Sequence, residues 1–184
     1  VNFFAYLLQN DFFMINVKEN RTSERQKMAT LYSWIGTRDF EAILSDKPKE
    51  CAIGGMIHKK KYDRVILLAN YKNGAENDFE NISEKVKALK GKIEEFFSGK
   101  LLFKFVELDN PILFTEIYKA TRDTLSEFPV DPFENTDDDF NVTSGTATMQ
   151  MVWLLLSKTV NCRTLSSSPQ EGVKEQDVPF EIEA

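Results

Sequence analysis

The sequence predicts an α/β fold in which a largely parallel, Rossmann-like sheet carries helices on both faces. Three observations support this fold class. Strand-like and helical segments alternate four times along the chain after residue 28. The apolar run at residues 64–71 is short and uninterrupted, as expected of a strand that is buried on both faces. Residues 78–97 carry apolar side chains at steps of three or four, which is the period of an amphipathic helix.

The first elements follow from local composition. Residues 29–35 are rich in strand-forming side chains and stop at Gly36, after which residues 38–44 predict a helix. Residues 64–71 lie between a lysine run and an Asn-Gly pair, which bound the second strand. In full, the predicted elements are strand 29–35, helix 38–44, strand 64–71, helix 78–97, strand 101–108, helix 111–125, strand 139–143, helix 149–158 and strand 162–166.

The later elements depend on a few special residues. Pro111 is expected to open the helix that follows strand 101–108, because proline is tolerated in a first helical turn. Residues 128–139 are rich in proline and acids and predict a connection. The nearly all-apolar stretch 149–158 predicts a buried helix, which a Ser-Gly-Thr turn joins to the short strand before it.

Length and composition exclude several classes of protein. The 184 residues suit one domain and are too few for a sensor together with a motor domain. With 23 basic and 29 acidic residues the net charge is −6, so we expect no direct binding to DNA, which requires a basic surface. One histidine and two distant cysteines cannot build a four-ligand zinc site, and we expect neither a metal nor a cofactor.

The sequence also bears on location and on domain limits. No apolar run reaches the roughly 18–20 residues of a membrane span, and the absence of a disulfide framework favours the cytoplasm. Residues 1–27 do not fit the strand–helix alternation, and Met28 stands just before the first strand. Residues 1–27 are therefore either an additional strand or helix, or an upstream extension of a domain that spans residues 28–184.

One candidate binding loop follows the first strand. In open α/β sheets, ligands bind beyond the carboxyl ends of the strands. This loop combines hydroxyl groups, an indole, a glycine and a guanidinium, which are groups suited to holding a phosphate and stacking on a base. Its candidate residues are Ser33, Trp34, Gly36, Thr37 and Arg38. The alternative is that Trp34 belongs to the core and Arg38 pairs with Asp39 or faces solvent.

A second candidate loop joins the fourth strand to the apolar helix. Its residues are Thr143, Ser144, Gly145 and Thr146. Free backbone N–H groups and the positive end of the helix dipole favour an anion at such a turn, and the hydroxyl groups add donors. The alternative is an ordinary helix cap without a ligand. The turn is neither a Walker loop nor a dinucleotide-binding fingerprint, because Gly-Lys-Ser/Thr and Gly-x-Gly-x-x-Gly are both missing.

Other polar groups give weaker predictions. The acidic run at residues 137–139 is typical of a solvated loop, and the lysines at 59–61 predict a solvent-exposed face rather than an RNA contact. His58 has no serine or cysteine near it in sequence, so a nucleophilic triad is unsupported. Cys51 and Cys162 are expected to be unreactive.

The two loops resemble those of a known family. Residues 31–42 (LYSWIGTRDFEA) and 140–151 (FNVTSGTATMQM) resemble the first and fourth strand–loop–helix units of CRISPR-associated Rossmann-fold (CARF) domains. Within that family the chain is most similar to the amino-terminal sensor of RtcR-type, sigma-54-dependent activators of RNA repair. Residues 109–112 (DNPI) and the tail after Ser168 also resemble that subgroup, and the resemblance covers residues 28–184.

The resemblance implies a regulatory, non-enzymatic sensor that acts as a homodimer. It implies a phosphorylated ligand, either cyclic oligoadenylate or RNA with a terminal cyclic phosphate, bound across two copies of the two loops. By position after the second strand, Asn70 and Tyr71 join the candidate ligand-binding residues. In such activators the sensor precedes an AAA+ ATPase and a helix-turn-helix, so a downstream ATPase is the implied partner.

Two alternatives remain. Some domains of this class cleave cyclic oligoadenylate by aligning a ribose hydroxyl with its phosphate, and Ser33, Arg38 and Thr146 have the polar groups for such a ring nuclease. A nucleotide-cofactor oxidoreductase is the weaker alternative, since the glycine fingerprint is absent.

Overall fold

The computed structural model describes residues 28–73, 76–77, 79–130, 137–160 and 162–176. The proposed extension at residues 1–27, the middle of the connection at 128–139 (residues 131–136) and the end of the tail lie outside the described residues. The strands are β1 Thr30–Trp34, β2 Arg64–Asn70, β3 Lys72–Asn73, β4 Glu76–Asn77, β5 Lys100–Val106, β6 Asp139–Asn141, β7 Arg163–Ser168 and β8 Gly172–Glu175. The α-helices are α1 Thr37–Leu44, α2 Ala52–Lys59, α3 Phe79–Glu94, α4 Phe114–Glu127 and α5 Ala147–Val160, and a short 3-10 helix spans Pro48–Glu50.

The main sheet has six strands in the order β5-β2-β1-β6-β7-β8. The pairs from β5 to β7 are all parallel, and only β8 runs antiparallel, against β7. From β1 the chain adds strands first on one side, through β2 and β5, and then on the other, through β6 and β7. The strand order therefore reverses between β1 and β6, and the crevice at their carboxyl ends is where such sheets bind ligands.

Both faces of the sheet are covered, as the sequence predicts. Successive residues of β1 point to opposite faces, so Leu31 packs with α1, α2 and α3, whereas Tyr32 packs with α4 and α5. The central strand β2 is buried from Val65 to Ala69, which explains its unbroken apolar run. The Rossmann-like α/β fold class is confirmed.

Several details differ from the sequence prediction. Helix α2 was not predicted, because its Gly54-Gly55 pair is a poor helix former. A side chain at Gly54 would place its Cβ 2.0 Å from the Pro48 carbonyl oxygen, so close packing on the 3-10 helix requires glycine there. Helix α4 begins at Phe114 rather than at Pro111, and β8 adds an edge strand that the sequence analysis treated as tail.

The acidic run at 137–139 is not a solvated loop, and that prediction was wrong. Asp139 is fully buried, and its carboxylate binds Lys60 Nζ at 2.6 Å, Tyr62 Oη at 2.8 Å and Arg163 Nε at 3.0 Å. The neighbouring Asp138 is also buried and accepts the N–H of Thr30 at 2.7 Å. These contacts join the amino ends of the strands, whereas composition alone predicted a solvated loop.

Lys60 therefore belongs to this buried network, while Lys59 and Lys61 remain exposed. Within the described ranges, no helix is long and apolar enough to cross a membrane.

Candidate functional site

A cavity of about 400 Å³ lies at the carboxyl edge of the sheet, where the strand order reverses. Four segments form its walls: the amino end of α1, the amino end of α2, the turn between β6 and α5, and the end of β7. Its lining residues are Gly36, Thr37, Arg38, Asp39, Glu50, Cys51, Ala52, Thr143, Ser144, Gly145, Gln150, Ser167 and Pro169. The two loops that the sequence analysis singled out thus form one site.

The first wall is the amino end of α1. Gly36 caps the helix, and Thr37 and Arg38 are exposed at its first turn. In the part of the chain that the structure describes, the guanidinium of Arg38 forms no hydrogen bond or ion pair. A cation without an internal partner therefore stands at the mouth of the cavity, beside the positive end of a helix dipole.

The second wall is the β6–α5 turn, which Asn141 holds in shape. The Asn141 side chain accepts the N–H of Thr143 at 2.9 Å and donates to the hydroxyl oxygens of Ser33 and Ser144 at 2.9 and 2.8 Å. From α5, the amide of Gln150 donates to the Thr143 carbonyl at 2.8 Å. The turn is fixed by the chain itself, so a ligand would meet a preformed surface.

Two glycines bring the first and second walls into contact. Gly145 has a φ of +84°, a left-handed conformation that favours glycine. A Cβ on Gly36 would lie 3.0 Å from the backbone nitrogen of Gly145. A Cβ on Gly145 would lie 2.7 Å from the sulfur of Met149. The loops can therefore approach at backbone distance only because both positions lack a side chain.

The third wall is the amino end of α2, which the sequence analysis did not foresee. Cys51 caps this helix by accepting the N–H of Gly54 at its sulfur, at 3.4 Å. Burial raises the pKa of the Cys51 thiol to about 12, so it stays a neutral thiol near pH 7. Glu50 lies on the preceding 3-10 helix, and Ser167 and Pro169 close the cavity from the side of β7.

Asp39 connects three of these walls. It is the third residue of α1 and only 2% exposed. Its carboxylate accepts the N–H of Gly36 at 3.0 Å and the N–H of Ile53, on α2, at 3.3 Å. The side chains of Ser144 and Cys51 lie beside the same carboxyl group. Burial raises the pKa of Asp39, and these hydrogen bonds lower it in part.

Six of the eleven residues predicted to bind the ligand line the cavity: Gly36, Thr37, Arg38, Thr143, Ser144 and Gly145. Ser33 and Trp34 are buried beneath it, so the Trp34 indole is not free to stack on a base and belongs to the core, as the alternative interpretation held. Thr146 caps α5 and donates its hydroxyl to the Pro111 carbonyl at 2.8 Å. Glu50, Gln150 and Ser167 also line the cavity, and no local sequence pattern pointed to them.

The two residues after β2 lie outside the cavity lining. The side-chain oxygen of Asn70 accepts the N–H of Leu108 at 3.0 Å, and the hydroxyl of Tyr71 donates to Glu107 at 2.9 Å. Both side chains therefore connect the β2 and β5 ends of the sheet. Their assignment as ligand-binding residues stays a prediction.

Comparison with known proteins supports the fold. No family model and no curated protein matches the chain. Among solved structures, it is similar to Enterococcus italicus Csm6 bound to cyclic hexa-2'-fluoro-hexa-dAMP, with a TM-score of 0.60, 20% identity and coverage of 80% of this chain and 35% of that one. It is also similar to protein VC1899 from Vibrio cholerae, with a TM-score of 0.50, 11% identity and coverage of 80% and 33%.

These likenesses show a shared fold and support the CARF-like fold that the resemblance predicted. The chain spans about one third of the length of the solved structures that it matches. The closer resemblance to RtcR-type sensors stays a prediction.

Proposed function

We propose that this chain is a ligand-sensing domain that binds a phosphorylated, cyclic oligonucleotide in the cavity at the reversal of strand order. The observation that carries the proposal is the convergence on one cavity of two helix amino ends, a glycine turn and Arg38, which has no partner among the described residues. Backbone N–H groups at helix amino ends are ready donors for phosphate oxygens, and a guanidinium adds charge-assisted hydrogen bonds.

The lining offers Arg38 and backbone donors to such a ligand, although it also holds the carboxyl groups of Asp39 and Glu50. Arg38 is the one basic residue in the lining, and Glu50 is exposed at the rim, where water screens its charge. Most of the remaining lining consists of small, neutral residues with backbone and hydroxyl donors. A net charge of −6 weakens long-range attraction for a polyanion but does not prevent recognition at short range.

The likeness to Csm6, whose structure contains a bound cyclic oligonucleotide, favours the same ligand class here. A cyclic oligoadenylate and an RNA with a terminal cyclic phosphate both offer phosphodiester oxygens to the cavity. We further propose that two copies of the domain share the ligand and that binding regulates a downstream effector in the cytoplasm, such as a sigma-54-dependent AAA+ ATPase. This step requires two states with different affinity for the ligand.

The positions of the polar side chains favour sensing over cleavage. Of the three residues suggested for a ring nuclease, Arg38 lines the cavity, whereas Ser33 is buried and Thr146 caps a helix. Incubating the ligand with excess protein tests the alternative, because accumulation of a linear product would favour the enzyme.

Isothermal titration calorimetry of the full chain tests the binding proposal. The probes are cyclic tetra-adenylate, cyclic hexa-adenylate and an oligoadenylate that ends in a 2',3'-cyclic phosphate. We expect Arg38→Ala to weaken binding by about 10- to 100-fold, since it removes a charge-assisted hydrogen bond. The matched control is Lys158→Ala, which removes a cation from the last turn of α5 and should leave affinity unchanged. Equal affinity of the wild type and Arg38→Ala, or no binding of any probe, would contradict the proposal.

A further inference from the structure

Asp39 lines the cavity with a buried carboxyl group whose chemistry the proposed function does not use. An anion-binding site is an unexpected place for a carboxylate, because like charges repel. Yet this carboxylate is buried in the cavity wall and occupies backbone N–H groups at the amino ends of both α1 and α2. These are donors of the kind that the ligand phosphate would use.

The surroundings of Asp39 leave its negative charge without a cation. Among the described residues, no lysine or arginine forms an ion pair with it, and its partners are neutral N–H and hydroxyl groups. The Ser144 hydroxyl oxygen already accepts a hydrogen bond from Asn141, so its own proton is available to the carboxylate. The charged form of Asp39 is therefore less stable than that of an exposed aspartate.

Charged groups on the other walls of the cavity do not compensate the negative charge of Asp39. Arg38 of α1 and Glu50 of the 3-10 helix line the same cavity but are exposed. Cys51 of α2, in contact with the carboxyl, is neutral near pH 7. The lining residues of the β6–α5 turn, of α5 and of the β7 end carry no titratable side chain. Among the titratable groups of the lining, Asp39 is thus the one whose protonation a bound phosphate would favour most.

We infer that Asp39 is a positioning residue that takes up a proton when an anionic ligand enters the cavity, so that affinity increases as the pH falls. The inference rests on the proposed function. A phosphate near the carboxylate disfavours the charged form and stabilises the protonated one. The neutral carboxyl keeps an oxygen acceptor for one wall and gains an O–H donor that can face the phosphate.

The direction of the pH dependence of affinity follows from the linkage between ligand binding and protonation of Asp39. The bound state holds the proton up to a higher pH than the free state does, so protons are taken up in the window between the two pKa values of Asp39. In that window affinity rises as the pH falls, by up to about tenfold per pH unit for one proton. Well above the bound-state pKa, affinity no longer depends on this group.

Calorimetry with a cyclic oligoadenylate between about pH 5.5 and 8 tests the inference. The ring of phosphodiesters does not titrate in this range, so the ligand adds no proton of its own. Measurements in buffers with different ionisation enthalpies give the number of protons taken up. We expect net uptake by the wild type, and loss of both the uptake and the pH dependence in Asp39→Asn. The control Asp46→Asn, an exposed aspartate just after α1, should behave as the wild type does.

A second variant keeps the test decisive if Asp39→Asn does not fold. Ser144→Ala retains the carboxyl but removes a hydroxyl that favours its charged form, so the pH profile of affinity should shift to higher pH. Binding by the wild type without proton uptake, or an unshifted profile in Ser144→Ala, would overturn the inference while leaving the proposed function intact. Absence of binding at every pH would instead contradict the proposed function itself.

Discussion

Two buried aspartates stand at opposite ends of the parallel strands, and their surroundings differ. Asp139, at the amino end of β6, is fully buried among Lys60, Arg163 and Tyr62. Asp39, at the carboxyl edge, is nearly as buried but contacts neutral donors. A buried charge is costly unless it is paired and hydrogen-bonded, so the first carboxylate is balanced and the second is not.

We call the amino ends of the strands, around Asp139, the structural end of the sheet. The carboxyl ends, around Asp39, form the end that a ligand can affect. At the amino end every oxygen of Asp139 has a charged or hydroxyl partner, so its negative charge is compensated by two cations and one hydroxyl. At the carboxyl end the carboxylate of Asp39 borders a cavity that is also lined by Arg38, and within the described ranges neither side chain forms an ion pair. A bound anion is therefore expected to change the protonation of Asp39, which has no cationic partner among the described residues, rather than that of Asp139.

The largest expected effect is at the structural end. Asp139→Ala would leave Lys60 and Arg163 beside a buried void without their shared partner. Breaking a fully buried ion pair costs about 3–5 kcal/mol; because Lys60 and Arg163 are partly exposed and each also contacts Asp137, we expect a smaller cost of about 2–4 kcal/mol here. We expect a loss of that size in the free energy of unfolding, measured by urea denaturation.

The control for this prediction is Asp123→Ala, an exposed aspartate on α4, which should change stability by less than about 0.5 kcal/mol. Similar losses in both variants would remove the distinction between a buried, paired carboxylate and a surface one. If Asp139→Ala still binds the ligand with normal affinity under conditions where it is folded, the two ends of the sheet are energetically separate.

An intermediate effect is expected at the contact between the two loops. Gly145→Ala would place a Cβ 2.7 Å from the sulfur of Met149 and 3.0 Å from the Cβ of Trp34, at a φ of +84°. We expect a loss of about 1–3 kcal/mol in unfolding free energy, the usual cost of a strained backbone. Ligand affinity should fall as well, because the turn amides move.

Gly91→Ala is the matched control for the loop. Gly91 lies on the exposed side of α3, and nothing is within 4 Å of an added Cβ. Alanine there should stabilise the chain by about 0.5–1 kcal/mol, because glycine is a poor residue inside a helix. A loss of unfolding free energy in Gly145→Ala together with a gain in Gly91→Ala would show that the turn conformation requires glycine at position 145. A change of the same sign in both variants would contradict that requirement.

The sequence predicted the parallel core because its signals are local. The apolar run of β2, the helical period of α3 and the apolar stretch of α5 each fit within one element. The alternation of strands and helices also placed both candidate loops at the carboxyl ends of strands. The strand order itself, with its reversal between β1 and β6, depends on long-range packing and came only from the structure.

What could not be predicted depends on contacts between distant segments. Asp39 and Asp139 both appear in the sequence as ordinary acids, and only tertiary structure shows that one meets the amino end of α2 and the other meets Lys60. Helix α2 was missed because Gly54 weakens its local helical signal, while packing against Pro48 selects that glycine. Trp34 was ambiguous for the same reason, since an indole suits both a core and a binding surface.

The smallest expected effect concerns the charge of Asp39 in the absence of ligand. Since burial raises the pKa of Asp39 in the folded chain above its value in the unfolded chain, the folded state binds the proton more tightly. Its contribution to stability is then fully present below the unfolded-state pKa and is lost as the pH rises through the folded-state pKa. Asparagine carries no such charge at any pH.

The unfolding free energy of Asp39→Asn relative to the wild type should therefore increase as the pH rises from the ordinary pKa of an aspartate through the raised folded-state pKa of Asp39, whatever its absolute value. Urea denaturation at several pH values measures this trend, and the difference between the two proteins cancels the titration of the other acids. A difference that stays constant with pH would mean that the Asp39 carboxylate is as well compensated as a paired one. The contrast between the two ends of the sheet would then rest on the cavity and Arg38 alone.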